Sequence, residues 1–340
     1  MADPGEAGMN RLRVGVIGLG YFGERHARIY HRLPHVDLVA VCDRDEPRAA
    51  RLGSELGAEP CADFAKLLAR PDIDAVSICL PDREHTDAAV AAAEARKSIL
   101  LEKPLAHDAA HARAIVDAVE RNGVRFMVGH ILRFDPRYVQ VHEASRPETL
   151  GTPIHLKAKR NGIRGVAARV GANASILFYM GVHDIDAMQW VARSRISRVY
   201  AQKIERLGNG NEDALYAVVN FENGAIGCVD YSWAWPDGLM NGYKASLEIV
   251  GTRSAAFLDC SDQGFYRVLD DRVTGGDTHL WPEINGRIVG DLGDEITHFA
   301  DALLTGAPFV QDYREAFDAI PVLDALAESA RTGMPVAVKR

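Results

Sequence analysis

Cysteine is scarce in this chain of 340 residues: the five present, Cys42, Cys61, Cys79, Cys228 and Cys260, contain no C-x-x-C spacing. That excludes a cysteine-based metal framework, and three of the five lie in apolar, strand-like segments where a thiol behaves as a small hydrophobe. We expect them reduced and buried. Long apolar runs are missing as well. No segment approaches the length of a membrane span, and the opening MADPGEAGMN is polar and acidic with no apolar core, so the expectation is a cytoplasmic protein with no membrane partner. Excess positive charge is absent too. A net charge of -8, with 31 arginines and 8 lysines scattered along the chain, argues against nucleic acid, whose binders need a dominant basic face. Nor is there an H-E-x-x-H motif. His85, His183, Asp184 and Asp186 superficially suggest ligands, but without recognisable ligand spacing no catalytic metal is expected.

What is present is a rhythm. From Leu12 to Gly129 the β-branched runs LRVGVIG, VDLVAVCD, DAVSICLP, SILLE and VRFMVG alternate with segments of 3.6-residue period, which is the βαβ pattern of a parallel sheet covered on both faces. The alanine-rich stretch Glu84 to Arg96 reads as a crossover helix. After about Arg133 the period changes to strict alternation, as in DALYAVVNFENGAIGCVDYSW, where Asn223-Gly224 marks a tight hairpin. Further strands at Ala245 to Val250 and Ala255 to Asp259 meet across Gly251-Thr252, and helices return at Asp294 to Leu304 and Tyr313 to Ala330. The fold expected is α/β: an N-terminal doubly wound Rossmann domain over 10–130, then an α+β domain over 131–340 with an open, largely antiparallel sheet.

VGVIGLGYFGERHARIY places Gly18, Gly20 and Gly23 in a G-x-G-x-x-G directly after a strand and at the head of a helix. The first glycine permits the tight turn, the second lets backbone approach a pyrophosphate, and the third allows close helix–sheet packing. Gly18, Gly20, Tyr21, Phe22 and Gly23 are therefore candidate cofactor contacts. Twenty residues past Gly23 the next strand ends in Asp43, where a carboxylate can accept hydrogen bonds from ribose hydroxyls. The acid favours NAD over NADP, although the neighbouring Arg44 could also meet a 2′-phosphate. Leu80 and Pro81, with His85 just beyond, follow a later strand at the edge where ligands collect in such sheets. For Leu80-Pro81, cofactor contact and an ordinary strand-ending proline are equally good readings.

SILLEKPL then sets Glu102, Lys103 and Pro104 at the carboxyl end of another strand, on the same edge as the glycine turn. E-K-P at this distance after a Rossmann fingerprint resembles the Gfo/Idh/MocA family of dehydrogenases acting on sugars and cyclitols. VGHILRFDP, GVHDID and the C-terminal helices extend the likeness over nearly the whole chain. The resemblance implies that Lys103 contacts the reacting hydroxyl or carbonyl of a small sugar or cyclitol, that Glu102 and Lys103 border the cofactor, and that the chain forms a homodimer or homotetramer. Physically, a lysine beside an oxidised nicotinamide is partly buried and near a second positive charge, and both lower its pKa toward neutrality. Lys103-Pro104 is also a bond for which the cis form is accessible.

The family's second motif, D-x-G-x-H-x-x-D, has its counterpart in Tyr179-Met180-Gly181-Val182-His183-Asp184-Ile185-Asp186, with tyrosine where an acid is usual. In a helix, Tyr179, His183 and Asp186 would share one face. Oxidation of a carbinol needs a base for the hydroxyl proton, and a histidine suits that work. Tyr179 could hydrogen-bond substrate, assist Lys103 or merely pack; Asp186 would orient or pack.

Weaker candidates for substrate contact are Arg133 and His130, just past the last Rossmann strand and equally well read as hinge-packing residues; Arg160 within the basic stretch Lys157, Lys159, Arg160, Arg164 and Arg169, otherwise a solvated face; and Trp235, which with Trp233 could stack on a ring or fill core. The function read from these residues is NAD-dependent oxidation of a secondary hydroxyl on a cyclic sugar, amino sugar or cyclitol, compatible with sugar tailoring in secondary metabolism. The alternatives are a keto-sugar reductase using NAD(P)H, a non-redox NAD-binding sensor and a glycosidase with tightly held NAD.

Overall fold

In the computed structural model of the protein, residues 11–170, 174–208 and 210–339 are described; the N-terminal decapeptide read above lies outside them. The chain divides into two compact units. The first takes the described residues to Ala106, Ala110–Gly129 and Glu283–Arg314, and the second takes His107–Ala109, His130–Pro282 and the chain from Glu315.

The first unit opens with β1 (Leu12–Ile17), α1 (Tyr21–Arg32), β2 (Val36–Cys42), α2 (Glu46–Leu56), β3 (Glu59–Cys61), α3 (Phe64–Leu68), β4 (Ala75–Ile78), α4 (His85–Glu94), β5 (Ser98–Glu102), α5 (Ala109–Asn122) and β6 (Phe126–Gly129). All six strands run parallel in the order β3-β2-β1-β4-β5-β6. The order reverses between β1 and β4, which puts the glycine turn after β1 at the crevice where open α/β sheets take ligands. Burial of β4 and β6 on both faces matches their largely apolar composition, with Ser77 the one polar side chain in the two strands. α4 lies close to the sheet because its buried face is Ala88, Ala89, Ala92 and Ala93. α2 starts on Asp45, whose side chain accepts the Arg48 N–H, and stops at left-handed Gly57. β3, the three-residue edge strand EPC, escaped the sequence reading because three residues carry no period.

The second unit contains α6 (Pro136–Ala144), α7 (Pro147–Leu150), β7 (Pro153–Ile163), α8 (Arg164–Val170), a π-helical turn Leu177–Gly181 leading into α9 (Val182–Ala192), then β8 (Ile196–Ile204), β9 (Ala214–Phe221), β10 (Ile226–Trp235), β11 (Tyr243–Gly251) and β12 (Ala255–Asp259). A ribbon, β13 (Tyr266–Val268) with β14 (Val273–Gly275), follows. The sheet order is β12-β11-β7-β10-β9-β8-β17, closed at its edge by β17 (Val336–Ala337). Every pairing is antiparallel except β7 with β10. β9 and β10 form the hairpin expected at Asn223-Gly224, with Gly224 at φ 87°. Leu215, Ala217 and Val219 on β9 and Leu247 and Ile249 on β11 face inward. Tyr216, Val218, Ile226 and Phe257 are exposed.

After β14 in the chain, the ribbon β15 (Glu283–Ile284) with β16 (Arg287–Ile288) and helix α10 (Asp291–Thr305) return to the first unit. α11 (Tyr313–Thr332) then runs on into the second. A single division at 130 therefore misses residues 283–314. Periodicity predicts α10 as a helix but not the sheet on which its apolar face packs.

Candidate active site

In the first unit, three glycines shape the turn after β1. Gly18 sits at φ 86°, and a Cβ on it would come 2.8 Å from the Cys79 carbonyl oxygen. On Gly23 a Cβ would stand 1.7 Å from the Gly18 oxygen, so the third glycine is what lets α1 start against the turn. Gly20 is different: a Cβ there meets nothing within 4 Å. Gly20 is also the N-cap of α1 and supplies no side-chain cap, so the first-turn N–H groups of a twelve-residue helix face the space that Gly20 leaves open. This cradle fits a dinucleotide pyrophosphate. Tyr21 is exposed with the Arg25 guanidinium 3.6 Å from its ring centroid, and Phe22 packs edge-on to Tyr21 at 5.3 Å.

Asp43 is 8% exposed, and its first duty is to the turn itself. Oδ2 accepts the Leu19 N–H at 2.8 Å and Oδ1 the Asp45 N–H at 2.9 Å, while Arg48 approaches Oδ2 at 3.2 Å. Burial alone would raise its pKa; the two N–H donors and Arg48 outweigh burial and hold it below the usual carboxylate range. Asp43 is thus an anion at neutral pH with lone pairs to spare. Arg44 lies out in solvent, 80% exposed, and reaches Glu84 at 3.2 Å.

At the carboxyl end of β5, Lys103 is half-buried, and the Lys103-Pro104 peptide is cis. Glu102 beneath it is buried: Oε1 lies 3.2 Å from His26 Nε2, and Oε2 accepts the Lys103 backbone N–H at 3.2 Å. His85, read from the sequence as a cofactor contact, is 1% exposed. Its ring nitrogens stand 2.9 Å from the Pro104 oxygen and 2.8 Å from the Leu80 oxygen. The imidazole is enclosed by backbone, so it ties the loop after β4 to the Lys103-Pro104 peptide instead of reaching a ligand. Burial lowers its pKa. Leu80 is half-buried and Pro81 exposed at the strand edge.

In the second unit, His183 is half-buried at the second position of α9. Tyr179 falls in the π-helical turn before it, so the simple α-helical face expected for Tyr179, His183 and Asp186 is interrupted; such turns recur at functional sites. Gly181 lets α9 descend onto the sheet, since a Cβ there would meet the Tyr231 ring at 3.0 Å. The Tyr179 ring lies 6.2 Å from that of Trp233. Trp233 is fully buried core.

Two arginines read as substrate contacts are spent on buried ion pairs instead. Arg133, 3% exposed, grips Asp186 with two hydrogen bonds of 2.9 and 2.8 Å, reaches Glu315 at 2.9 Å and lies 4.4 Å from the Trp190 ring centroid. Arg160 sits on the face of β7 covered by α9, where it holds Asp184 at 3.0 and 2.9 Å and the Tyr138 hydroxyl at 2.9 Å. In both cases a fork-shaped cation matches a planar carboxylate in low dielectric. His130 is 2% exposed, 3.5 Å from Asp186. Trp235 is half-buried with Lys244 Nζ 5.1 Å from its ring centroid, and the remaining basic side chains Lys157, Arg164 and Arg169 are solvated. The sequence reading passed over His26, though its signal was there: a histidine on the apolar stripe of α1, between Gly23 and Tyr30.

Residues 12–130 match the model of an oxidoreductase family with an NAD-binding Rossmann fold, and residues 138–256 match the GFO/IDH/MocA C-terminal domain. An inositol 2-dehydrogenase of Rubrobacter xylanophilus is 30% identical over 97% of this chain and 94% of its own. The scyllo-inositol 2-dehydrogenase (NAD(+)) of Bacillus subtilis is 29% identical over 96% of both. Among solved structures, GenD2 from gentamicin A biosynthesis, in complex with NAD, superposes with a TM-score of 0.83 at 25% identity over the whole of both chains. With its glycine cradle, its E-K-P strand end and both domain models matched, this chain belongs to the Gfo/Idh/MocA family of NAD-binding oxidoreductases.

Proposed function

We propose that the protein oxidises a secondary hydroxyl on a cyclic sugar, amino sugar or cyclitol, with NAD rather than NADP as acceptor. The observation that carries this reading is Lys103: a half-buried lysine at the carboxyl end of β5, on the same sheet edge as the glycine cradle and backed by a buried carboxylate. The cofactor supplies the hydride acceptor. Lys103 donates a hydrogen bond to the reacting oxygen and stabilises it as its proton leaves. Lys103, as the neutral amine, and His183 together handle that proton. Tyr179 adds a neutral donor where an acid would add charge. The anionic, backbone-anchored Asp43 favours ribose hydroxyls and disfavours a 2′-phosphate. Gly20, Tyr21 and Phe22 border the pyrophosphate, and Leu80 and Pro81 line the neighbouring edge.

The inositol dehydrogenase relatives support a cyclitol, and the likeness to an enzyme of gentamicin A biosynthesis keeps sugars of secondary metabolism in view. The exposed apolar residues of the second sheet support a homodimer or homotetramer. The test is NADH absorbance on a panel of cyclitols, free sugars, amino sugars and sugar phosphates. One compound turned over with NAD supports the reading. NADH release with none, while NADPH reduces the matching keto-sugar, would reverse the direction.

A further inference from the structure

Behind Lys103 lies a buried cluster that no step above uses. His26 from α1, Glu102 from β5 and Glu295 from α10 bring a ring nitrogen and two carboxylate oxygens within 4.8 Å of one another. All three residues belong to the first unit. His26 and Glu295 are fully buried and Glu102 is 8% exposed. Glu295 approaches the end of β6 through the space left by Gly129, where a Cβ would stand 3.2 Å from Glu295 Oε1 and 3.6 Å from the Glu102 Cα.

The hydrogen bonds account for every proton but one. Tyr30 OH lies 2.9 Å from Ser77 Oγ, and Ser77 Oγ lies 3.2 Å from His26 Nδ1. With Tyr30 donating to Ser77 and Ser77 donating to His26 Nδ1, His26 is left with an Nε2–H to give to Glu102 Oε1. Glu102 Oε2 takes the Lys103 backbone N–H. Glu102 is thereby supplied with donors as an anion. Glu295 has none: among the described residues, neither of its carboxyl oxygens has a hydrogen-bond partner. A second anion, without donors and within 4.8 Å of the first, would be doubly penalised by desolvation and like charge.

We propose that Glu295 is a positioning residue for Lys103: it carries a proton at neutral pH and so leaves Glu102 as the single negative charge behind the lysine. The proposal rests on the reading of Lys103 given above. Burial, then the charges of Glu102 and Asp291, raise the Glu295 carboxyl well above its usual range. Burial would raise Glu102 also, but His26 and the charge of Lys103 hold it down. The other titratable groups facing the cluster, Tyr30 on α1, Cys79 after β4 and His85 on α4, bring no counter-charge. Burial raises the Tyr30 and Cys79 pKa values and lowers that of His85, keeping each neutral. One proton on the carboxyl pair leaves one negative charge to balance Lys103; two ionised carboxyls would raise the lysine's pKa and oppose proton transfer at neutral pH.

The experiment compares wild type with Glu295→Gln and Glu295→Leu by infrared spectroscopy, thermal melting across pH, and steady-state kinetics. The carbonyl band of a protonated carboxylic acid, present in wild type at neutral pH, should vanish in Glu295→Gln. Because the folded-state pKa is raised, the proton's stabilisation is present at low pH and is lost as pH rises through that pKa. The melting temperature of wild type should therefore fall relative to Glu295→Gln toward alkaline pH. Glu295→Leu should lose about 10–100-fold in kcat, as expected when a reacting group is displaced by up to about 1 Å, while the lysine limb of the pH profile stays where it is, because a protonated Glu295 and a leucine carry the same charge. Glu295→Gln, close to the protonated carboxyl in shape and charge, should restore kcat and likewise leave the limb unmoved. An unchanged infrared band, an unchanged alkaline stability difference, or stoichiometric metal in the purified protein would overturn the proposal. The infrared and melting arms need no substrate, so they decide it even if the dehydrogenase reading fails. A lysine limb that moves downward in both variants would show Glu295 ionised in wild type and overturn the proposal, and an unchanged kcat in Glu295→Leu would refute the positioning role alone.

Discussion

Replacing Arg133 by methionine separates a structural from a substrate-binding role for the most heavily engaged arginine in the second unit. Arg133 and Asp186 are 3% and 2% exposed and share two hydrogen bonds, with Glu315 as a third, half-exposed partner. The variant takes both Arg133 hydrogen bonds from the buried Asp186 carboxylate, which lies 3.5 Å from the His130 ring. Breaking a buried pair from one side costs about 3–5 kcal/mol, a large part of a stability on the order of 5–15 kcal/mol. For a unit of this size each kcal/mol moves the midpoint by about 2–4 °C, so the melting temperature should drop by about 6–20 °C. The surface pair to Glu315 adds little, because exposed pairs are worth at most about 1 kcal/mol. Arg133→Met with Asp186→Leu removes both charges and should recover much of the loss, since well-packed apolar replacements of buried pairs are often neutral. Differential scanning calorimetry of the two single variants and the double variant measures the coupling. An unchanged melting temperature in Arg133→Met, with only the substrate KM raised, would refute the reasoning and return Arg133 to the substrate.

Four further outcomes follow from the geometry. Gly20→Ala should fold with unchanged stability but bind NAD more weakly by calorimetry, because its Cβ meets only open space in the protein. Gly23→Ala should lose both stability and binding, because its Cβ collides with the Gly18 carbonyl. Tyr179→Phe should lower kcat by about 10-fold or less, as loss of one neutral hydrogen bond of about 0.5–1.5 kcal/mol implies, whereas a role in packing alone, which the phenylalanine ring preserves, would leave both kcat and the melting temperature unchanged. Val218→Glu on the exposed face of β9 should reduce the mass seen by light scattering if that face joins copies of the chain; an unaltered mass places the contact elsewhere.

The first unit was nearly all legible because both of its signals are local. Apolar runs of four to seven residues separated by helical stretches specify a parallel sheet, and three glycines at fixed offsets specify a turn: Gly18 by its φ and forbidden Cβ, Gly23 by its forbidden Cβ and Gly20 by the open space it leaves. Lys103 was legible for the same reason: its neighbours in sequence are its neighbours in space. The ion pairs were not. Arg133 and Asp186 are 53 positions apart, and Arg160 and Asp184 are 24 apart; nothing local distinguishes an arginine that will be buried against a carboxylate from one that will meet a ligand. Glu295 was hidden likewise, since its helix is predictable but the strand ends it approaches are not. The π-helical turn at Leu177–Gly181 breaks the regular spacing on which the Tyr179–His183 face was argued, and no residue type announces it.

The most direct test of the central claim is turnover by Lys103→Met beside wild type, on whichever compound of the panel wild type oxidises, with NAD affinity measured in parallel. The account predicts that kcat falls by about 10²–10⁴, the usual worth of a positioned proton-transfer group, while the dissociation constant for NAD stays where it was. Undiminished turnover in the variant would remove Lys103 from the chemistry and with it the reading of the E-K-P strand end.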